Sequence, residues 1–129
     1  MFGPKVLSTM DSLIGPATRI DGHLLFRGGM RIDGQVRGNV TAEAGQGSYL
    51  VVSEHGRIDG EVRCDHLIVN GEISGAVYAA ELLEIQPKAR IFGNVTYKVL
   101  EMHGGAQVLG QLIHDDTHTA VEHLAVSGA

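Results

Sequence analysis

Seven histidines, fifteen acidic residues and one cysteine are the side chains of this chain best suited to chemistry. Their spacing argues against most of it. His55, His66 and His103 stand singly near the ends or starts of short apolar segments, and none has a carboxylate at a fixed spacing that would orient it as a base. Each reads as an exposed corner histidine. Cys64 follows Arg63, a cation that favours the thiolate. One adjacent charge is a thin basis for a nucleophile, and a structural thiol is expected. Gly28-Gly29 and Gly104-Gly105 lack the lysine and the following helix of a phosphate loop. Near the C-terminus, His114, Asp115, Asp116, His118 and His123 gather in sequence. His114 and His118 would share a helix face, with Asp115 adding an oxygen. No HExxH or paired-cysteine spacing accompanies them, so a solvated tail is expected there. No catalytic residue, cofactor or metal site is expected.

The elements that would have to position such groups are legible from composition and pattern. Apolar residues make up 43% of the 129 positions, enough for one core, but aromatics are only 5% and Trp is absent. The core must be aliphatic. Eighteen glycines are about twice the usual share. With three prolines and no G-X-Y period, regularly placed tight corners explain them best. A formal charge of −5 and a pI near 5.7 speak against a nucleic-acid surface, so no nucleic-acid partner is expected. The single cysteine rules out an internal disulfide and fits a reducing compartment. No apolar run reaches the ~18 residues of a spanning helix, and "MFGPKVLSTM" lacks the apolar centre of a secretory signal.

The chain repeats itself. Leu50, Leu67, Leu83 and Leu100 are each followed two positions later by an apolar residue, and they stand 17, 16 and 17 residues apart. Each is followed by an aliphatic-x-Gly-x-aliphatic element: Ile58–Val62, Ile73–Val77, Ile91–Val95 and Val108–Leu112. An earlier copy reads Ile32-Asp33-Gly34-Gln35-Val36, with Leu25 ahead of it, and "LIGPATRIDGHL" (Leu13 to Leu24) opens the series. About six units result, with "TAEAGQGS" (Thr41 to Ser48) as a loop between the second and third. Within a unit the apolar period is two. Leu83, Ile85, Ile91 and Val95 share one face while Glu84 and Asn94 point away. Alternation over short segments bounded by Gly and Pro predicts strands.

Short strands recurring at so even a step predict an all-β fold, a parallel β-helix of about six coils. Coils stacked ~4.8 Å apart align equivalent aliphatics in columns. Each such side chain contributes about 1.5–3 kcal/mol when fully buried. One coil cannot bury its apolar face, whereas a stack can. A sandwich of antiparallel hairpins is the alternative, and "VNGEI" (Val69 to Ile73) would suit a hairpin turn, but a sandwich has no reason to keep the step.

The ordered series "RIDGQVRGNV" (Arg31–Val40), "VVSEHGRIDGEV" (Val51–Val62), "LIVNGEISGAV" (Leu67–Val77) and "ARIFGNV" (Ala89–Val95) resembles the bactofilins. These are bacterial polymer-forming cytoskeletal proteins. The resemblance covers roughly residues 12 to 113. It implies a right-handed β-helix core and end-to-end assembly into non-polar filaments without nucleotide. It also implies a cytoplasmic scaffold rather than an enzyme, with roles in cell shape, cell-wall synthesis or polar localisation. The implied partners are other copies of the chain, cell-wall enzymes or polar client proteins, and the inner membrane. Two alternatives belong to other classes. One is a left-handed β-helix acyltransferase, whose strict 18-residue beat this chain lacks. The other is a monomeric β-helix that displays binding faces.

A β-helix leaves an unpaired coil at each end, and no capping helix or polar coil is legible here. The residues expected to carry self-association are Leu13, Ile14 and Ile20 at one end and Val108, Leu109, Leu112 and Ile113 at the other. Phe92 is added because it stands, like Leu109, before Gly where earlier units place Asp21, Asp33 and Asp59. Some bactofilins reach the membrane through a short N-terminal peptide with an early Phe and a following basic residue. The N-terminus resembles that pattern at Phe2 and Lys5, although Gly3-Pro4 would discourage an early helix. The expected organisation is therefore a tail over 1–12 with this membrane contact, a β-helix polymerisation domain over 13–113, and a disordered C-terminal tail over 114–129.

Overall fold

The computed structural model describes residues 10–44 and 47–115. Among the described residues there are fifteen strands and no helix. Three strands make one coil. The first coil is β1 (Ser12–Ile14), β2 (Arg19–Asp21) and β3 (Leu24–Phe26). The second is β4 (Gly29–Ile32), β5 (Gln35–Arg37) and β6 (Val40–Ala42). The third takes β7 (Tyr49–Val52), β8 (Arg57–Asp59) and the first half of β9 (Val62–Val69). From there the chain turns more smoothly. The second half of β9, β10 (Glu72–Ser74) and the start of β11 (Val77–Ile85) form the fourth coil. The fifth is the rest of β11, β12 (Arg90–Phe92) and the start of β13 (Val95–Met102). The rest of β13, β14 (Gln107–Leu109) and β15 (Leu112–His114) close the sixth.

Every strand pairing is parallel and joins neighbouring coils. The stack is thus a β-solenoid of about six turns with three faces. The middle strand of each coil (β2, β5, β8, β10, β12, β14) forms a separate six-stranded sheet. The two other faces merge into one nine-stranded sheet because β9, β11 and β13 each run through both. At the edge between them, β11 carries an irregularity between Ala79 and Leu82.

The register explains the repeat. Met30, Leu50, Leu67, Leu83 and Leu100 form one inward column, and Ile14, Ile32, Val52, Val69, Ile85 and Met102 the next. Ile20, Val36, Ile58, Ile73, Ile91 and Val108 line the second face. Leu24, Val40, Val62, Val77, Val95 and Leu112 line the third. In the middle coils these side chains have no solvent exposure at all. The aliphatic core predicted from the period-two pattern is this bundle of columns.

Two assignments from sequence need correction. Ile32-Asp33-Gly34-Gln35-Val36 is not the equivalent of Ile58–Val62. Ile32 pairs with Ile14 and Val52 on the first face, while Val36 pairs with Ile20 and Ile58 on the second. The true equivalent in coil two is Val36-Arg37-Gly38-Asn39-Val40, so the residue before its glycine is Arg37, not Asp33. The leading position in that coil is Met30, which pairs with Leu50. Leu25 points outward from β3 and is 69% exposed. The physical reason is corner length. The corner after Ile32 holds only Asp33 and Gly34, so an apolar-x-Gly-x-apolar string spans it with the same spacing as the true element.

A second type of corner explains much of the glycine content. Between the second and third faces, Gly22, Gly38, Gly60, Gly75, Gly93 and Gly110 stack in a column. A β-carbon on any of the last five would run into the backbone carbonyl oxygen of the glycine one coil earlier. Beside this column, corner side chains bridge coils: Asn39 Oδ1 accepts from the Glu61 amide and Asn94 Oδ1 from the Gln111 amide, each at 2.9 Å. The expected loop is narrower than Thr41–Ser48, since Thr41 and Ala42 belong to β6. Buried Ser48 fastens its far end: its amide donates to Asp65 Oδ2 at 3.0 Å and its hydroxyl accepts from the Asp65 amide at 2.9 Å.

Candidate functional site

The regularity of the stack makes its two ends the places where something differs. In coil five, Leu83, Ile85, Ile91 and Val95 are completely buried. Their partners one coil on are Leu100, Met102, Val108 and Leu112. With no coil above them among the described residues, Met102 is 43% exposed and Leu112 45%, while Leu100 and Val108 are half-buried. The opposite end is milder. Ile14, Ile20 and Leu24 are half-buried, and Phe26 is buried. Among the described residues, each end also presents strands paired on one side only. Such edges are templates for further pairing unless Lys, Pro or a bulge guards them. The C-terminal strands Gln107–Leu109 and Leu112–His114 contain neither Lys nor Pro.

The residues expected to carry self-association divide into two groups. Ile14, Ile20, Val108 and Leu112 lie in the inward columns and form part of the end slices. Leu13, Leu109 and Ile113 alternate with them and face out of the terminal coils; Leu13 and Leu109 are about 60% exposed. Phe92 also faces outward, one coil earlier, in register with Leu109. The column they end runs Asp21, Arg37, Asp59, Ser74, Phe92, Leu109. Its early members are tied by ion pairs, Arg37 with Asp21 at 3.7 Å and Arg57 with Asp59 at 3.4 Å. Its late members form a small apolar patch bordered by Arg90, whose guanidinium sits 5.6 Å from the Phe92 ring. Phe2 and Lys5 lie outside the described residues, as do Asp116, His118 and His123.

Leu24, Leu100 and Met102 belong to the end slices but were not singled out from sequence. The signal was present for two of them, since Leu100 and Met102 repeat the columns of Leu83 and Ile85. Leu24 required the coil-one frame, which the four-residue corner Gly15–Thr18 sets.

Cys64 is the structural thiol expected from the sequence, whereas the histidines depart from expectation. Cys64 is buried, and burial first and the Asp65 carboxylate second push its thiol far above its ordinary range. Arg63 does not activate it; the guanidinium lies 3.9 Å over the Tyr78 ring on the outer face. His66, expected at an exposed corner, is half-buried within β9 and packs against the Tyr49 ring, centroids 6.1 Å apart. Burial, followed by the Glu84 charge, raises the Tyr49 hydroxyl. Two histidines expected to lack a carboxylate partner have one: His55 Nε2 lies 3.6 Å from Glu54 Oε2 at an exposed corner, and His103 Nε2 lies 3.1 Å from Glu84 Oε2. His103 and Glu84 are 19 residues apart, one coil, and only the register brings them together.

Among the described residues, the parallel aliphatic stack leaves a strand edge open at each end. A family model described as "Bactofilin: Polymer-forming cytoskeletal" matches residues 12–113. The chain belongs to the bactofilin family. No curated protein and no solved structure matches it. The matched span begins at the first residue of β1 and ends within β15, so the bactofilin domain and the solenoid coincide. As a bactofilin the protein is a cytoskeletal scaffold of a polymer-forming, structural family. No helix among the described residues is long and apolar enough to cross a membrane.

Proposed function

We propose that this bactofilin assembles end to end into filaments that need no nucleotide, with the first and last coils as the contact surfaces. The observation that carries the reading is the contrast between the fully buried columns of the middle coils and the open side chains of Met102 and Leu112 at the last. Covering each half-exposed side chain yields on the order of 1 kcal/mol. Pairing the free strand edges supplies the direction. When like ends meet, the contacts are two-fold and the filament is non-polar. The apolar patch of Phe92 and Leu109 on the second face, with Leu13 facing outward on the first face of the first coil and Ile113 on the third face of the last, then serves side-by-side contacts or the rim of the junction. Negative-stain microscopy of the purified chain in nucleotide-free buffer tests the proposal. Filaments are expected. A persistent monomer, or closed oligomers with an enzymatic activity, would replace it with another reading.

The expected tails over 1–12 and 114–129 overlap the solenoid at Ser12 and His114, which belong to β1 and β15; the segments beyond those strands, 1–11 and 115–129, act in this proposal as tails. The first reaches the cytoplasmic face of the inner membrane through Phe2 and Lys5. One Phe gives about 1.5–3 kcal/mol and one Lys about 1. That is weak for a single chain, but a filament displaying many tails binds by avidity. Such a membrane-apposed filament suits a scaffold for cell shape, wall synthesis or polar localisation, gathering wall enzymes or polar clients along its length. Phe2→Arg is expected to release filaments from anionic liposomes in a co-sedimentation assay. Unchanged pelleting of that variant would remove the membrane role and leave the filament role standing.

A further inference from the structure

On the first face, the outward column runs Leu13, Arg31, Val51, Ile68, Glu84, Glu101. Glu84 and Glu101 are register partners on adjacent parallel strands, so two carboxylates stand side by side. Like charges in that position destabilise a sheet. Elsewhere on the solenoid, outward acids are neutralised by basic side chains: Asp33 by Arg31, Asp59 and Glu72 by Arg57, Glu61 by Arg63, Glu81 by Lys98. Among the described residues, no Lys or Arg makes an ion pair with Glu84 or Glu101. What faces them instead is His103, two residues beyond Glu101 at the following corner. The donor atoms of the three side chains all lie within 4.8 Å of one another. Gln86 Nε2 donates to Glu84 Oε2 at 3.4 Å and holds that half-buried carboxylate toward the group.

We propose that Glu84, Glu101 and His103 bind one divalent transition-metal ion of the zinc class. One imidazole nitrogen and two carboxylate oxygens make a mixed donor set. The nitrogen selects against Mg2+ and Ca2+, which take oxygen. Three protein ligands leave a position for water in a tetrahedral sphere. Gln86 is the outer partner that orients a ligating carboxylate. The ion replaces the missing cation beside the acid pair. It also links coil five, through Glu84, to coil six, through Glu101 and His103. Among the described residues the last coil is paired on one side only, so this link stabilises a terminal coil.

The test is Zn2+ titration of the full, metal-stripped chain by isothermal calorimetry. The readout is metal bound per chain, so filaments and single chains serve equally, and the outcome does not depend on the proposed assembly. One Zn2+ per chain is expected at this site. Glu101→Gln and His103→Ala are each expected to weaken it by more than about tenfold, the least that losing even an outer-shell partner costs. His118→Ala should leave it unchanged, which separates this site from histidines of the C-terminal segment. Zn2+ should raise the melting temperature of the wild-type chain and not that of the two variants. Absence of Zn2+ binding, equal affinity in wild type and Glu101→Gln, or displacement of Zn2+ by a hundredfold excess of Mg2+ would overturn the proposal. Because Glu101 and His103 are exposed, both variants should fold, and circular dichroism checks that they do.

Discussion

At Gly93 a β-carbon would collide with the carbonyl oxygen of Gly75 in the coil before it, and the backbone φ of +153° is one that other residues avoid. No flexible side chain is available to give way, since the obstacle is main chain. Gly93→Ala is therefore expected to cost about 1–3 kcal/mol, read as a fall in melting temperature. An unchanged melting curve would mean the corner is looser than the stacked glycines indicate. Cys64 makes a second residue-scale case. Its native thiol holds its proton to higher pH than the unfolded thiol, whose ordinary value is 9.0. Above that pH the native state binds more protons than the unfolded one, so stability falls as pH rises. Cys64→Ala should flatten this alkaline loss, at the separate and pH-independent cost of a smaller core side chain. The folded protein should also resist a thiol reagent at pH 8 until denaturant is added. Rapid labelling of the native chain would contradict a buried, protonated thiol.

Strands and corners form the next scale, and here the frame of coil two is the sharpest test. Met30 occupies the column of Leu50 and Leu67 and is buried, whereas Leu25 faces solvent. Met30→Ala is expected to cost about 2–5 kcal/mol, and Leu25→Glu to stay within about 0.5 kcal/mol, both by denaturant unfolding. The reverse ranking would restore the frame first read from the sequence. That reading went astray in coil two, where a two-residue corner is followed by the long segment between β6 and β7, and succeeded in coil four, whose corner Asn70-Gly71 is equally short. Leu83, Ile85, Ile91 and Val95 were legible because a period of two and a fixed step both marked them. In coil two, a two-residue corner imitated the repeat element, and the segment between β6 and β7 lengthened the step from Met30 to Leu50. Strand alternation carries no information on which corner an insertion occupies. The Glu84–His103 contact was hidden for a related reason: side chains one coil apart become neighbours only after the register is known. Val108 and Leu112 were legible as members of the last coil because they repeat Ile91 and Val95. The division of that coil into inward Val108 and Leu112 and outward Leu109 and Ile113 needed the pleat of β14 and β15.

For the molecule as a whole, that division turns the proposed assembly into a choice between two surfaces. Leu112 is an inward residue of the last coil, already 45% exposed in the single chain. Arginine there is expected to leave the solenoid folded, because the side chain can turn to water. In a junction where another coil covers the slice, the same charge would be buried without a partner, at a cost of several kcal/mol. Leu112→Arg should therefore abolish filaments while the melting temperature of the chain stays near that of wild type. Leu109, across one corner in the same coil, faces outward and is 60% exposed. Arginine at that position leaves the slice intact, so single filaments should persist while side-by-side bundles through the Phe92–Leu109 patch are lost. Electron microscopy of the two variants in parallel reads both effects. The opposite pattern, with filaments surviving Leu112→Arg and vanishing in Leu109→Arg, would move the polymer contact from the open coil to the outer wall. The two substitutions differ in little but the direction of the strand's pleat, so a clean split between them would identify the uncovered core as the adhesive surface.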